Sequence, residues 1–298
     1  MKPLTILSLF DGISCGRVAL QRANIPVAKY YASEIDKYAI QVTQKNWPDT
    51  IQLGDVKNVW ARNLPKIDLL IGGSPCQDLS NYKYDRGDVK GLKGNKSSLF
   101  WHYVRLLRTC KPKYFLLENV ASMEKKWADA ISKELGVKPI MINSSLVCAA
   151  ERKRLYWTNI PQLCALQDKN INLEDIVEKE SIPEKYWMNK YTFDLHNPND
   201  KVIATININC HRHAKEVYNL KSKASCLCTD GNGGNLVKKI YQHGKVRKLM
   251  PIEYERLQTL PDNYTQGISD SRRYTVIGNG WTVDVIAHIF SFIPKEDK

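Results

Sequence analysis

Three groups of residues in this 298-residue chain have types and spacings that could do chemistry. The first is Pro75-Cys76-Gln77, directly after the apolar run Ile67-Asp68-Leu69-Leu70-Ile71-Gly72-Gly73. That context sets one thiol at the carboxyl end of a buried strand, where open α/β sheets hold their ligands. Pro75 fixes its own φ and biases Ser74 toward extended backbone, so the turn presenting Cys76 is stiff, as a nucleophile requires. A buried structural cysteine fits these three residues equally well. The second group is Glu118-Asn119-Val120, which closes the apolar Tyr114-Phe115-Leu116-Leu117 and brings a carboxyl group to the same sheet edge. A carboxyl in such a place can serve as a proton donor. The third is Arg152-Lys153-Arg154: on an extended strand both guanidinium groups point to one face and could hold a carbonyl and a phosphate together.

A ligand loop accompanies them. Phe10-Asp11-Gly12-Ile13-Ser14-Cys15-Gly16 follows the first strand pattern and opens the first helix, where glycine and free N–H groups let a ligand approach the backbone. Its spacing is not Gly-x-Gly-x-x-Gly, which argues against a nicotinamide enzyme. Glu34 lies near the offset of about 20 residues at which a carboxylate takes up ribose hydroxyls. Asp55, in Gly54-Asp55-Val56, stands at another strand end. Singly, each acid reads as a helix cap or a surface charge; together they outline an adenosine pocket. The set answers one chemical problem. C5 of cytosine attacks a methyl sulfonium only after a thiolate has added at C6, with the ring assisted at N3.

The elements that must position these groups are legible as alternation. Residues 5–10, 29–33, 67–71, 114–117, 140–147 and 155–158 are β-rich, and residues 13–22, 35–46, 98–109 and 124–135 have helical spacing of apolar positions. Such alternation predicts an α/β fold with a doubly wound mixed sheet, Rossmann-like, over residues 1–160. After Pro161 the sequence turns polar and irregular, with strand candidates at 201–208 and 235–241. Helical patterns return at 251–259 and 282–292. The predicted division is a catalytic and cofactor-binding domain of residues 1–160, completed by 271–298, and a smaller, irregular domain of 161–270.

Composition narrows the class. No apolar stretch approaches the roughly 18 residues of a membrane span, and no signal-peptide pattern follows Met1, so the expectation is a cytoplasmic protein with no membrane partner. The eight cysteines have no framework spacing and read as reduced thiols. A formal net charge of +13 favours a polyanionic partner. Residues 201–248 hold ten Lys and Arg against Glu216 and Asp230, which concentrates positive charge in the second domain. Cys210, His211, His213, Cys226 and Cys228 include no Cys-x-x-Cys pair, and the expectation is no metal.

Taken together, these motifs resemble the cytosine-C5 DNA methyltransferase family, in the family's usual order and over nearly the whole chain. The likeness rests on Phe10-Asp11-Gly12, Glu34, Gly54-Asp55-Val56, Gly73-Ser74-Pro75-Cys76-Gln77, Ser98-Leu99-Phe100, Glu118-Asn119-Val120, Arg152 with Arg154, Arg247-Lys248-Leu249 and Gly278-Asn279-Gly280. The resemblance implies Cys76 as the nucleophile at C6, Glu118 at N3 and the exocyclic amine, Arg154 at O2 with Arg152 supporting the loop nearby, and Asn119 bracing the active-site loop. It implies an S-adenosyl-L-methionine pocket lined by Phe10, Asp11, Gly12, Ile13, Glu34, Ile35, Asp55, Val56, Pro75, Leu99, Asn279 and Trp281, with Glu34 on ribose and Asp55 on the adenine amine. Double-stranded DNA is the implied partner, read by residues 161–264, and the target cytosine must leave the helix to reach Cys76. Residues 78–97, with Lys83, Arg86, Lys90, Lys93 and Lys96, match the family's mobile loop that closes over DNA.

Two departures stand out: Ala150 occupies the place of the family's usual glutamine, and the recognition region is compact. The latter, with Ser74-Pro75-Cys76-Gln77-Asp78-Leu79-Ser80 and Gly280-Trp281-Thr282-Val283, is most similar to the animal de novo methyltransferase branch, here as a bare module of the prokaryotic and bacteriophage kind. The resemblance accommodates either an enzyme with a partner nuclease or one that stands alone. Two alternatives share the scaffold. A tRNA cytosine-C5 methyltransferase is disfavoured because the Cys-Phe-Thr element of that branch is missing, and a catalytically silent DNA-binding regulator is disfavoured by intact Cys76, Glu118 and Arg154.

Overall fold

The computed structural model describes residues 1–75, 97–210, 212–227 and 236–295. Its chain divides into two compact units, residues 1–143 with 153–165 and 285–298, and residues 144–152 with 166–284.

In the first unit the predicted alternation becomes β1 (Leu4–Leu9), α1 (Cys15–Arg22), β2 (Val27–Ser33), α2 (Lys37–Asn46), β3 (Ile51–Gln52), β4 (Leu69–Gly73), α3 (Phe100–Cys110), β5 (Tyr114–Val120), α4 (Lys125–Leu135), β6 (Ile140–Asn143) and β7 (Lys153–Thr158). The sheet order is β3-β2-β1-β4-β5-β7-β6. Five strands run parallel from β3 to β5, and β7 runs antiparallel between β5 and β6. This is the expected doubly wound mixed sheet. The parallel strands are nearly continuous apolar runs because helices cover both faces. Leu7, Leu9, Leu70, Leu117, Phe100, Tyr103 and Trp157 share one core. Gly72 is a glycine for a steric reason: a Cβ there would come within 3.1 Å of both the Leu9 carbonyl and the Tyr103 ring.

The helices start and stop on local chemistry. Asp36 caps α2 by accepting from the backbone N–H groups of Tyr38 and Ala39, and Gly136, at φ 71°, ends α4 in the left-handed conformation. Strand β6 stops at Asn143, short of the predicted 147, because residues 144–146 curl into a 3-10 turn that Val147 N closes on Ser144 O.

The second unit carries β8 (Phe193–Leu195), β9 (Val202–Ile206), α5 (Arg212–Lys215), β10 (Glu216–Tyr218), β11 (Lys239–Gln242), β12 (Lys245–Lys248), α6 (Pro251–Leu257) and α7 (Asp270–Asn279). Its sheet has the order β12-β11-β10-β9-β8. His243 and Gly244, at φ 52° and 76°, make the two-residue turn between β11 and β12, the handedness a tight hairpin needs. The apolar core is small, with Met188, Ala204, Ile206, Val217 and Val246 at its centre.

A polar core compensates. Arg247 and Glu253 are wholly buried and pair through two bonds, Nη1 to Oε2 at 2.8 Å and Nη2 to Oε1 at 2.6 Å. Arg247 Nε donates to Gln242 at 2.6 Å, and Glu253 also accepts from the backbone of Met250 and Glu178. Strand β12, helix α6 and the segment at Glu178 are thereby locked together. Lys239 is buried with its ammonium on the carbonyls of Ala214 and Val237, and buried Lys238 bonds Ser225. Three of the ten basic residues of 201–248 are thus spent on the interior, so not all of the positive charge concentrated in that stretch is available to a partner.

The observed division also falls elsewhere than 161 and 271. Residues 144–152 join the second unit through the Ala150–Ala224 bridge and the bond from Glu151 N to Ala224 O. Residues 271–284 join it because α7 packs on α6: the Tyr254 and Tyr274 rings stand 4.8 Å apart, and Arg273 bonds buried Glu255 at 2.9 Å. The chain re-enters the first unit at Val285, within α8 (Val283–Phe290). No helix among the described residues is long and apolar enough to cross a membrane.

Arg247→Met strands a buried carboxylate, and the expected loss is about 3–5 kcal/mol of unfolding free energy in urea. The double variant Arg247→Met/Glu253→Leu, which removes both charges, should recover most of it.

Candidate active site

The turn from β1 into α1 is strained and tightly held. Phe10, Gly12 and Ser14 all adopt positive φ, at 57°, 59° and 57°, a costly conformation for the two that carry a Cβ. Asp11 compensates. Its carboxylate accepts from the hydroxyls of Tyr30, at 2.7 Å, and Ser14, and its N–H donates to Ser33 O at 3.2 Å. Glu34 secures the next residue: Oε2 accepts from Gly12 N at 2.8 Å, while Oε1 accepts from the N–H groups of Ile35 and Asp36. Two carboxylates therefore flank Gly12. Burial pushes Asp11 up to about 6, the charge of Glu34 adds to the shift, and the hydroxyls of Ser14, Ser8 and Tyr30 oppose it.

The remaining adenosine candidates in this unit follow the same edge. Asp55 starts a 3-10 turn, Val56–Asn58, with Oδ1 accepting from Lys57 N at 3.0 Å. Gly54 before it has φ 70°, and its carbonyl accepts from the Ser33 hydroxyl at 2.7 Å. Ile35 is 74% exposed at the end of β2, an apolar surface free to pack on a planar ring. Leu99 and Pro75 are partly buried, and Val56 is buried. Ile13 has no exposed surface and anchors the turn from the core.

Between β4 and β5, Asn119 donates from Nδ2 to both the carbonyl and the hydroxyl of Ser74, each at 3.1 Å. The residue two before Cys76 is thus tied to the end of β5. Cys76, together with Gln77 and the predicted loop at 78–97 up to residue 96, lies outside the described residues. Glu118 is 8% exposed and pairs with Arg154, whose Nε lies 2.8 Å from Oε1. The antiparallel register explains the meeting: Arg154 faces Val120, two residues beyond Glu118, which is the diagonal neighbour on the same side.

Arg152 does not share that face. Strand β7 begins at Lys153, so the alternation that would align Arg152 with Arg154 does not extend back to it. Within the second unit its Nη2 donates to the carbonyls of Gly278, at 3.1 Å, and Gly280, at 2.9 Å, and its Nη1 approaches Cys226 Sγ at 3.6 Å. Gln258 Nε2 donates to Ile277 and Gly280, and its Oε1 accepts from Thr282 at 2.7 Å. These bonds shape the turn that displays Asn279, which is exposed, and Trp281, which is half-buried.

His211 and Cys228 also lie outside the described residues. His213 bonds Glu216 at 2.9 Å, Cys226 sits by Arg152, and the described residues contain no cluster of three or more potential metal ligands. Tyr30, Ser14 and Ser74 in the first unit, and Gln258 in the second, each support their own unit's turns without a catalytic signature in the sequence. The buried hydroxyl of Tyr30 on β2 is the one signal that called for a polar partner.

The Asp11 shift has a definite sign. Its ordinary value is 3.8 and its folded value about 6, so between them the folded state holds a proton that the unfolded chain does not. Stability from this group is full below about pH 4 and is lost as pH rises through about 6. Asp11→Asn has no such proton to lose. In urea denaturation the variant should gain on the wild type as the buffer moves from acid to neutral, and a pH-independent difference would refute the assignment.

Comparison with known proteins places this architecture. The profile of the C-5 cytosine-specific DNA methylase family matches residues 4–138 and 140–295. The chain is 27% identical over 321 residues to the Type II methyltransferase M.NlaX of Neisseria lactamica, covering 95% of this chain and 94% of that protein. It is 37% identical over 125 residues to the orphan methyltransferase M.SPRI of Bacillus phage SPR, a match covering 41% of this chain and 28% of the phage protein, little more than a quarter of its length. Among solved structures, the Entamoeba histolytica methyltransferase EhMeth superposes with a TM-score of 0.70 at 16% identity over 98% of both chains, a likeness of fold. On the strength of a family match that runs from the first strand past the last helix, this chain belongs to the C-5 cytosine-specific DNA methylases.

Proposed function

We propose that the chain transfers a methyl group from S-adenosyl-L-methionine to C5 of a cytosine flipped out of duplex DNA. One observation carries the reading: the strained, acid-flanked turn at Asp11, the Asn119–Ser74 brace and the Glu118–Arg154 pair all lie at the carboxyl edge of one sheet. The residues present suit the cofactor. Two carboxylates beside Gly12 match a ligand with ammonium and sulfonium charge, Glu34 suits ribose hydroxyls, and Asp55 with exposed Ile35 suits an adenine edge and face. When bound, the cofactor supplies an electrophilic methyl group.

The chain's own groups do the rest. Asn119 holds Ser74 so that Pro75 can aim the Cys76 thiolate at C6 of the cytosine, where an S–C6 bond forms and electron density moves to C5. Glu118 serves N3 and the exocyclic amine, and Arg154 serves O2. Their mutual bond holds the two side chains together at one place, where both can meet the same ring. After C5 has gained the methyl group, loss of its proton and expulsion of the Cys76 sulfur restore the pyrimidine. Arg152 acts at one remove, by shaping the turn that carries Asn279. The second unit is assigned target recognition. Bacterial and phage relatives support a cytoplasmic setting, with or without a partner nuclease.

The test is tritiated methyl transfer to unmethylated plasmid DNA and to tRNA, with bisulfite sequencing of the DNA. Label should enter DNA cytosines only. Cys76→Ala should abolish transfer while keeping most DNA affinity, because phosphate contacts dominate binding. Glu118→Gln should slow transfer by about 100-fold or more with cofactor binding intact in calorimetry. Transfer by Cys76→Ala would refute the covalent mechanism, and label in tRNA alone would change the substrate.

A further inference from the structure

Helix α3 carries a side chain that the chemistry above does not use. From the middle of that helix Arg105 reaches the turn after Asp55: Nη2 donates to the Val56 carbonyl at 3.2 Å, and the guanidinium lies 4.6 Å from the centre of the Trp60 ring. Arg62 approaches the same ring at 5.7 Å. Trp60 is 47% exposed, and both guanidinium groups lie against its ring. One turn earlier on α3, His102 Nδ1 lies 3.4 Å from Arg105 Nη2. Burial first, then the charges of Arg105 and Lys57, hold His102 below the ordinary imidazole range, against the pull of Asp55.

The turn needs such support. It is a three-residue 3-10 element entered through Gly54 at φ 70°, and β3, the strand before it, is two residues long. Its other fastenings include the Ser33 hydroxyl on the Gly54 carbonyl and the burial of Val56 and Val59 in the apolar core, neither of which holds the Val56 carbonyl. Arg105 supplies a bond two residues farther along, at the Val56 carbonyl.

We propose that Arg105 is a positioning residue for the adenine end of the cofactor site: by pinning the Val56 carbonyl and stacking on Trp60 it fixes the turn from which Asp55 and Val56 meet the ring. This rests on the reading of Asp55 and Val56 as adenine-binding. A ligand that finds the turn already ordered avoids the cost of ordering it, so Arg105 contributes to affinity and leaves the chemical step alone. A purely electrostatic role predicts the opposite pattern. Arg105 would then repel the cationic S-adenosylmethionine, and its removal would favour that ligand over the less positive S-adenosylhomocysteine.

Calorimetry with both ligands separates the cases. Arg105→Ala should weaken S-adenosylmethionine and S-adenosylhomocysteine by the same factor, about tenfold. KM for the cofactor should rise in proportion, with kcat at saturation unchanged. Arg105→Lys keeps a donor but loses the planar stack, and should recover part of the affinity. Exposed Trp60→Ala should act in the same direction, which keeps the test open if Arg105→Ala folds poorly. Affinity within twofold of wild type in both Arg105→Ala and Trp60→Ala, a gain confined to S-adenosylmethionine, or a fall in kcat would each overturn the proposal. If the wild type binds neither ligand, the cofactor reading itself fails, and this inference fails with it.

Discussion

The in-register pairing of the parallel strands is the constraint on which the first unit depends. Leu9 lies beside both Ser33 and Gly72, and Gly73 lies beside Glu118. The chain therefore leaves β1, β2, β4 and β5 at one level, and Phe10, Glu34, Ser74 and Asn119 emerge as neighbours although they are far apart in sequence. Side chains alternate along a strand, so a slip of one residue in β5 would exchange the faces of Glu118 and Asn119 and undo both of their bonds. The register is defended by the apolar core on either face and by Gly72, where the Tyr103 ring lies against bare backbone.

Strain and its compensation lie side by side at that edge. The positive φ angles of Phe10 and Ser14 persist because Asp11 and Glu34 fasten the backbone around them, and Asp11 is itself held by Tyr30 from the adjacent strand. The second unit solves a different problem. With a small apolar core it uses buried cations, Arg152, Lys238, Lys239 and Arg247, each with oxygen partners, to join segments that have little hydrophobic surface to share. Such networks specify one arrangement because a half-satisfied version is costly.

Much of the first unit was legible because its signals are local. Apolar runs ending in Gly-Ser-Pro and Glu-Asn-Val mark strand ends whatever the rest of the chain does, and the helices between them have clear periodicity. What escaped depends on contacts that no local pattern encodes. Helix α7, Asp270–Asn279, carries β-branched residues and a glycine, and it is held by Tyr274 on the Leu249 carbonyl and by Arg273 on Glu255. The spacing of Arg152 and Arg154 suggested a shared face, yet where β7 begins is decided by its pairing with β5 and β6. The net charge pointed outward, while part of it is buried as structure. The upward shift of Asp11 could not be foreseen, since it depends on burial by distant segments and on the charge of Glu34.

The division of the chain bears on how the molecule is made. The backbone passes between the two units after Asn143, Arg152, Ala165 and Asp284, so neither unit is a contiguous stretch. The turn at Phe10–Ser14 is made before the second unit, but the unit that contains it includes Val285 and the residues after it, which are made only after the whole second unit. Domains made of one continuous segment can fold in the order in which they are synthesised. Here the first sheet must wait for the buried residues Val285, Ile286, Ile289, Phe290 and Ile293 of its own unit, and no single proteolytic cut can release either unit whole.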